Sequence, residues 1–596
     1  MKTVPERIAA LRAAMQNAGV DGYLIPSSDP HMSEYLPDCY GARSWFSGFT
    51  GSVGTLAVTA EKAALWVDGR YFIQAEHQLA GSGIELMRVA VKGTPEIPAW
   101  LAENLPQGGV MGLDGMITAI STVEKLEQAF TEKKITIKDI DFVSPLWEGR
   151  PPVPATTAWL LETKYAGKTA REKLEQLRDA LAEHGADATL LSRLESVAWA
   201  LNLRADDIAY NPFPLSYCLV LPESATLFIN KSRVPAEVED ALNAEGVQVA
   251  PYEDAASAIA SVSTPVTALY EPEGTSYTLY HAMKANASIK LQAGEEPVQP
   301  LKGVKNEVEI QNIKNAHVKD GVAMVRFQMA LEAKMTAGET VTECDVADML
   351  TALRKAQPLN LGDSFDTIAA CGANAAMMHY HALPETCAEL EPHGFLLVDS
   401  GAQFRDGTTD ITRTYTMGDL TDEEKTYYTL VLKSHIDLAR VVFLEGCTGG
   451  NLDIMARSAV WRHGIDYRCG TGHGVGFVGG VHEGPQNLRI TNNVAFVPGM
   501  TVTDEPGIYE EGKVGIRIEN ELLCKEWGVT EYGRFLCFEP ITYCPIDVKP
   551  VKVELLDNDE LDWLNEYHAL VYKTLESSLT PEEQDWLKAA CASLAR

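Results

Sequence analysis

The chain lacks an excess of basic charge. Its 596 residues include 50 Lys and Arg against 83 Asp and Glu, which gives a formal net charge of −33. A protein that binds the nucleic-acid backbone needs the opposite sign, because Lys and Arg are the residues that neutralise phosphates. The composition therefore argues against nucleic acid as a partner, and it favours an acidic protein of the cytoplasm.

Long apolar runs are also missing. No stretch approaches the ~18 consecutive apolar residues of a membrane-spanning helix, so no association with a membrane is expected. The first residues, MKTVPERIAALRAAMQNAGV, place Ile8, Leu11 and Met15 at helical spacing with charged residues between them. That pattern predicts an amphipathic helix rather than a signal peptide.

Paired cysteine motifs are absent as well. The eleven cysteines are scattered, and no two of them form a CxxC motif. In a chain of this length, an odd and scattered set favours reduced thiols and a cytoplasmic location. What the chain does contain is apolar residues, at 46% of the total, which is enough for several buried cores.

An internal repeat organises the first half of the chain. RIAALRAAMQNAGVDGYLIPS (7–27) resembles EKLEQLRDALAEHGADATLLS (172–192), and each predicts a helix that ends at glycine and leads into a buried strand. The repeat predicts two related α/β domains joined by the proline-rich VSPLWEGRPPVPATT. A long helix is predicted from near Asn306, and the tail predicts two amphipathic helices. We therefore expect domains over 1–150, 151–298 and 299–596.

Two aspartates interrupt strand-like sequence in the third domain. DSGAQFRDGTTDITRT begins at Asp399 and contains Asp410, and both lie in apolar or Thr-rich flanks from which carboxylates are normally excluded. As a hairpin centred on Phe404–Arg405, the segment would place the two carboxylates opposite each other. Such a pair is costly unless a divalent cation lies between the two groups.

The same pattern recurs downstream. TVTDEPGIYEEGKVGIRIENELL predicts a second hairpin, in which Glu505 and Glu519 are symmetric about Gly512. Between the hairpins, GTGHGVGFVGGVHEGP carries His473 and His482 among glycines, which allow a backbone to approach a site closely.

Four carboxylates and an imidazole suit a two-metal site. The four negative charges balance two divalent cations, and bridging carboxylates would hold the ions about 3.5–4 Å apart with a water or hydroxide between them. Oxygen-rich ligand sets favour hard cations, so Mn²⁺ is expected; Zn²⁺, Co²⁺ and Fe²⁺ remain alternatives.

Five strings give a specific family resemblance. VDSGAQFRDGTTDITRT, GTGHGVG, VHEGP, DEPGIY and GIRIEN resemble, in order and spacing, the motifs of the pita-bread metallopeptidases, which include methionine aminopeptidases, prolidases, aminopeptidases P and the metal-free creatinases. SGFTGSVGTLAVT, ALWVDGRYFIQAEHQL, VAWALNLRADDIAYNP and FEPITYCPID resemble the long, three-domain aminopeptidases P across essentially the whole chain. The resemblance implies an α/β fold with two related creatinase-like N-terminal domains and a C-terminal pita-bread catalytic domain.

The resemblance also implies roles for individual residues. It makes Asp410 and Glu519 bridging metal ligands, with Asp399 completing one metal ion and His473 and Glu505 completing the other. Glu505 would orient or deprotonate the bridging water, whose hydroxide is the nucleophile. His379 and His482 match the histidines that hydrogen-bond the substrate and the tetrahedral intermediate. The implied protein is a homodimeric Xaa-Pro aminopeptidase, whose substrates are peptides with proline in the second position.

Two alternatives stay open, and one position departs from the family pattern. The chain could be a prolidase restricted to Xaa-Pro dipeptides, or an inactive pita-bread protein used for binding. Arg517 either balances charge behind the ligands or forms a simple ion pair, and His381 is expected to be peripheral. Where the family usually has a histidine four residues before the metal-binding one, this chain has Cys469. We expect the chemistry to survive there, with altered substrate contacts.

Overall fold

The repeated segments fold into two sheets of equivalent topology. In the computed structural model, which describes residues 2–596, the first sheet has the order β4-β3-β2-β1-β5-β6. Its strands are β1 (Gly22–Pro26), β2 (Thr55–Thr59), β3 (Ala63–Val67), β4 (Glu85–Arg88), β5 (Val110–Leu113) and β6 (Thr136–Asp139). Its helices are α1 (Val4–Ala18), α2 (Ala42–Ser47), α3 (Phe72–Gln78), α4 (Ile97–Asn104), α5 (Ile120–Phe130) and α6 (Val143–Leu146).

The second sheet follows the same plan, with the order β12-β11-β10-β8-β13-β14. The strands of this region are β7 (Trp159–Leu160), β8 (Ala188–Leu191), β9 (Leu203–Arg204), β10 (Ser216–Val220), β11 (Ala225–Ile229), β12 (Val247–Pro251), β13 (Val266–Tyr270) and β14 (Ile289–Ala293). Its helices are α7 (Thr163–Ala166), α8 (Ala170–Glu183), α9 (Leu194–Leu201), α10 (Ala236–Ala244), α11 (Ala255–Ala260) and α12 (Tyr277–Ala285).

The two sheets share strand directions as well as order. In each, the central strand pairs antiparallel with one neighbour and parallel with the other, β1 with β2 and β5, and β8 with β10 and β13. The helix before each central strand ends at a left-handed glycine, Gly19 (φ 67°) or Gly185 (φ 71°). The predicted internal repeat is therefore confirmed.

The remaining helices belong to the C-terminal half. They are α13 (Val298–Gly303), α14 (Glu307–Thr336), α15 (Glu343–Lys355), α16 (Asp422–Ala439), α17 (Gly449–Trp461), α18 (Asn558–Leu575) and α19 (Pro581–Ala590). The predicted start of the long helix is confirmed, because the Asn306 side chain caps α14 and the Glu309 side chain accepts from the Asn306 backbone N–H. The tail forms the two predicted helices, α18 and α19.

The strands of this half form small antiparallel sheets. They are β15 (Asn360–Asp363), β16 (Ile368–Cys371), β17 (Phe395–Ser400), β18 (Ala402–Phe404), β19 (Gly407–Thr408), β20 (Ile411–Thr416), β21 (Val442–Leu444), β22 (Gly472–His473), β23 (Asn487–Leu488), β24 (Thr501–Asp504), β25 (Gly507–Glu510), β26 (Val514–Arg517), β27 (Asn520–Thr530) and β28 (Gly533–Pro540). The sheet orders are β15-β18-β19, β16-β17-β20, β21-β28-β27-β24, β22-β23 and β25-β26. Apolar side chains of α16 and α18 form one core with the hairpin β25–β26.

Contacts divide the chain into two units. The first unit runs up to Leu161 and resumes over Lys168–Val298, and the second comprises Glu162–Gly167 and Gln299–Arg596. Helix α7 thus belongs with the C-terminal half, where the Asn306 side-chain amide donates to the Ala166 carbonyl over 3.0 Å. Within residues 2–596, no helix combines the length and the apolar character needed to cross a bilayer.

Candidate metal centre

The first predicted carboxylate pair lies on one hairpin, but in a different register. Strand β17 pairs with β20 so that Asp399 lies opposite Thr412, two positions from Asp410. The predicted direct opposition of the two aspartates is therefore wrong. The reason is the turn: Gln403 pairs with Thr408 and Phe404 with Gly407, which centres the hairpin on Arg405–Asp406. A shift of two residues preserves the face, so Asp399 and Asp410 remain diagonal neighbours.

The second hairpin has the predicted register. Strand β24 pairs with β27 on one side of Glu505 and Glu519, and β25 pairs with β26 on the other, all about the same centre at Gly512. Glu505 and Glu519 therefore lie opposite each other in the gap between the two ladders. Neither residue is part of a strand pair at this position, and Glu519 is buried.

A close backbone approach positions His473. A Cβ atom at Gly472 would lie 1.8 Å from the Thr503 carbonyl oxygen, so only glycine permits strand β22 to pass this close to β24. The His473 Nδ1 atom lies 3.0 Å from the Gly474 carbonyl oxygen. If Nδ1 carries the proton that donates to this carbonyl, Nε2 presents a free lone pair, which is the usual arrangement of a metal-binding histidine.

The five predicted ligands converge. Ligand atoms of Asp410, His473 and Glu519 lie within 4.8 Å of one another. The His473 Nε2 atom is 3.2 Å from Glu505 Oε1 and 3.6 Å from Asp410 Oδ2. The Oδ1 atom of Asp399 is buried without a hydrogen-bond partner. This set of oxygen atoms, one of them orphaned, with one ring nitrogen fits divalent cations.

The electrostatics of the site give the same indication. Burial raises the pKa of Asp410 and Glu519 well above their usual ranges, and repulsion between the carboxylates adds to this. Burial likewise raises the pKa of Asp399, against the opposing charge of Arg517. Burial also acts against ionisation of Glu505, but the hydrogen bond and charge of His473 outweigh it and lower the pKa of Glu505 to about 2. Crowded, buried acids of this kind are relieved by cations.

Arg517 lies directly behind the ligands. Its Nη2 atom donates to Asp399 Oδ2 over 2.5 Å, and its Nη1 atom donates to the Tyr509 hydroxyl over 2.7 Å. Its Nε atom donates to the Thr412 hydroxyl, which itself donates to Glu519 Oε2 over 2.6 Å. Arg517 therefore forms an ion pair, and that pair orients a candidate ligand.

The two predicted substrate histidines occupy different elements. The ring of His482 lies edge-on to that of His473, with centroids 4.3 Å apart. His379 is half-buried in residues 371–388, which we call the His379 segment. This segment packs against the second hairpin, because a Cβ at Gly515 would lie 1.7 Å from the Ala375 carbonyl oxygen. His381 pairs with the partly exposed Asp366.

Cys469 is partly buried and lies close enough to Glu505 to feel its charge. Burial, followed by the charge of Glu505, raises the pKa of its thiol to about 12. Its carbonyl accepts a hydrogen bond of 2.7 Å from the Arg457 guanidinium. A thiol with this pKa stays protonated at neutral pH, so it acts as a small, weak donor rather than as a thiolate.

Arg413 supports the backbone of the centre, and no sequence pattern assigns it a role. Arg413 is 1% exposed, and its guanidinium donates to the backbone carbonyls of Thr412 and Glu519. It also donates to the Asn520 side chain and to the Tyr567 hydroxyl of α18. A signal was present: like the two aspartates, Arg413 is a charged residue inside strand-like sequence, TTDITRTYTM.

A second buried network supports the strand that carries His473. The Thr471 hydroxyl donates to Asp453, which also accepts a 2.7 Å bond from Arg457. The Thr471 carbonyl accepts from the Glu505 backbone N–H over 2.8 Å. The network thus links α17 to two candidate ligands.

Family models match most of the chain. The creatinase/prolidase N-terminal domain matches twice, over residues 7–144 and 149–309. Metallopeptidase family M24 matches residues 311–526, and the C-terminal region of peptidase M24 matches 534–594. The fold is therefore two related creatinase-like N-terminal domains followed by a pita-bread domain, as the sequence predicts.

Full-length relatives agree with these matches. Aminopeptidase P2 of Arabidopsis thaliana is 38% identical over 98% of this chain and 88% of its own, and a probable Xaa-Pro aminopeptidase P of Sordaria macrospora is 38% identical over 98% of both. A solved X-prolyl aminopeptidase of Caenorhabditis elegans, described as a cytosolic enzyme with a di-nuclear active site, is 34% identical over the whole of both chains, with a TM-score of 0.95. The chain therefore belongs to metallopeptidase family M24.

Proposed function

We propose that the protein is a two-metal Xaa-Pro aminopeptidase, which hydrolyses the bond between an N-terminal residue and a following proline. The observation that carries this proposal is the convergence of four carboxylates and His473 in one site, three of the carboxylates with raised pKa. The full-length similarity to Xaa-Pro aminopeptidases supports the substrate class.

The five residues divide between two cations. Asp410 and Glu519 would be ligands of both ions, Asp399 would be a further ligand of one, and His473 and Glu505 would be further ligands of the other. Mn²⁺ suits a ligand set of four carboxylates and one imidazole, with Zn²⁺ and Co²⁺ as alternatives. When bound, two divalent cations supply Lewis-acid activation of the attacking water and of the scissile carbonyl.

The protein's own residues move the protons and hold the substrate. Glu505, whose Oε1 atom lies 3.2 Å from His473 Nε2, accepts the proton of the attacking water. His482, against the ring of His473, donates to the substrate carbonyl oxygen as negative charge develops there. The leaving proline nitrogen is a secondary amine and departs protonated, and His379 and His482 are the groups placed to assist it.

Two rival functions make different predictions. A prolidase would cleave only dipeptides, whereas the proposed enzyme cleaves longer peptides with a free amino terminus. A pita-bread protein used only for binding would have lost ligands, yet all five are present and adjacent.

We also propose that the enzyme is a homodimer of the cytoplasm. Helix α17 exposes Ile454, Met455 and Trp461 to 46%, 40% and 42%, and Ile490 beside its first turn is 56% exposed. An apolar face of this kind is typical of a surface that a second copy covers. Sedimentation of Trp461→Ala, expected to shift toward monomer, tests the assignment.

The proposed domains are 1–150, 151–298 and 299–596, supported by the two sheets of the first unit.

One experiment tests the function. Metal-stripped enzyme is assayed with Arg-Pro-Pro and Arg-Ala-Ala, with and without Mn²⁺, and with N-acetylated Arg-Pro-Pro. We expect release of free arginine from Arg-Pro-Pro only, dependent on added metal and blocked by acetylation. Equal cleavage of both peptides would contradict the specificity while leaving the two-metal chemistry intact.

A further inference from the structure

A fully buried carboxylate lies at the first residue of α15. Glu343 is 0% exposed and accepts hydrogen bonds from several neutral donors. The backbone N–H groups of Cys371 and Ala388 and the Tyr380 hydroxyl each lie 2.8 Å from a carboxylate oxygen, and the Asn374 side-chain amide lies 3.1 Å from both oxygens. Burying a charge in this way is favourable only because every oxygen is satisfied.

All of these donors belong to the His379 segment. Cys371 is the last residue of β16, where the segment leaves its sheet, and Ala388 lies where it returns. The Glu343 backbone N–H also donates to the Ala388 carbonyl over 3.0 Å, so both the main chain and the side chain hold the return point. Tyr380 is the neighbour of His379 in sequence. One carboxylate therefore fixes the beginning, the middle and the end of the segment that carries His379.

The inference rests on the proposed function, in which His379 contacts the substrate. We propose that Glu343 is a positioning residue for the reaction, which fixes His379 for substrate by holding the ends of its segment and Tyr380. Glu343 touches neither substrate nor metal in this role. Its position at the N-terminus of α15 also suits a negative charge, because the helix dipole places partial positive charge at that end.

A glutamine at position 343 keeps the shape of the side chain and removes its charge. In Glu343→Gln, the amide NH₂ must face the N–H of Cys371 or that of Ala388, so at least one backbone donor loses its acceptor. Loss of one hydrogen bond to a buried charged group corresponds to about a 10- to 100-fold effect. We expect kcat to fall by about this factor, with a smaller change in KM, because His379 acts in the transition state. Glu343→Asp keeps the charge and should recover part of the loss.

A double-mutant cycle with His379→Ala distinguishes positioning from a general loss of structure. If Glu343 acts through His379, Glu343→Gln should change kcat/KM less than about 3-fold in the His379→Ala background. The matched control is Asp320→Asn, which breaks a buried pair with Arg354 on the same helix α15 without touching the segment. The control should lower Tm, and its effect on kcat/KM should be the same with or without His379.

A second readout does not depend on activity. Hydrogen exchange of residues 371–388 should be at least about 10-fold faster in Glu343→Gln than in the wild-type enzyme, and unchanged in Asp320→Asn. Tyr380→Phe, which removes one donor only, provides a milder variant if Glu343→Gln does not fold. Unchanged exchange, or an equal loss of activity with and without His379, would overturn the inference. A wild-type enzyme with no activity on Xaa-Pro peptides would instead overturn the proposed function, whatever the exchange shows.

Discussion

At the scale of single residues, the centre is a set of acids held too close together to be stable alone. Asp410→Asn removes a proposed bridge and should abolish the binding of two metals and lower kcat by at least about 10³-fold, because cations contribute several kcal/mol to such reactions. Metal analysis and turnover of Arg-Pro-Pro measure both effects. Asp406→Asn is the control, a buried turn residue on the same hairpin that pairs with Lys319 outside the ligand set. Two tightly held metals in Asp410→Asn would show the ligand assignment to be wrong.

Cys469 should tune the substrate and leave the metals unchanged. Because four carboxylates and His473 already complete the proposed ligand set, Cys469 is not expected to be a ligand, and Cys469→Ala should keep the metal content of the wild type. We expect kcat/KM to change by about 2- to 5-fold, with different factors for different peptides, since only one small pocket contact is altered. Alkylation at neutral pH should be at least about 10-fold slower than that of an ordinary free thiol, and bound substrate should slow it further. Loss of a metal ion from Cys469→Ala would contradict this interpretation.

At the scale of elements, turn geometry decided which site predictions were right. The position of Gly512 fixed the register of Glu505 and Glu519, and the structure agrees. For Asp399 and Asp410 the sequence predicts a turn centre one residue too early, so the observed register differs while the two side chains still share a face.

Local sequence patterns do not predict the contacts that support the site. The partners of Glu343 are 28 to 45 residues away, and Arg413 reaches Tyr567 across 154 positions. Periodicity and turn signals carry no information about such contacts, which depend on how separate elements pack.

Gly515 tests the packing of the His379 segment on the second hairpin. Gly515→Ala places a methyl group where the Ala375 carbonyl now lies, so the segment must move. We expect a loss of about 1–3 kcal/mol in unfolding free energy and a fall in kcat/KM. Gly528→Ala on β27 is the control, because a Cβ there meets no atom within 4 Å, and it should change stability by less than about 0.5 kcal/mol. Denaturant unfolding and peptide hydrolysis give the two readouts, and a fully active, equally stable Gly515→Ala would contradict the contact.

At the scale of the whole molecule, one buried acid should make stability depend on pH. Burial, followed by repulsion from Glu271, raises the pKa of Glu296 from 4.5 to about 8. The folded state therefore keeps a proton that the unfolded state releases. This contribution to stability is complete below about pH 4.5 and is lost as the pH rises through about 8. Glu296→Gln should gain on the order of 3 kcal/mol relative to wild type between pH 5 and 8. Tm measured from pH 5 to 8 gives the dependence of stability on pH for both proteins. The exposed Glu295→Gln serves as the control. Parallel curves of Tm against pH for Glu296→Gln and wild type would refute the prediction.

The placement of α7 in the second unit has a consequence for how the protein is made. The ribosome adds Ala166 to the chain 140 residues earlier than Asn306. The Asn306 side-chain amide then donates its hydrogen bond to the Ala166 carbonyl. At typical rates of about 5–20 residues per second, α7 waits roughly 7–28 s for its partner helix to be synthesised. During that time the residues of the first unit on both sides of α7 in the sequence can already fold. A fragment whose translation began at Gln299 would therefore lack α7, and the second unit would be incomplete.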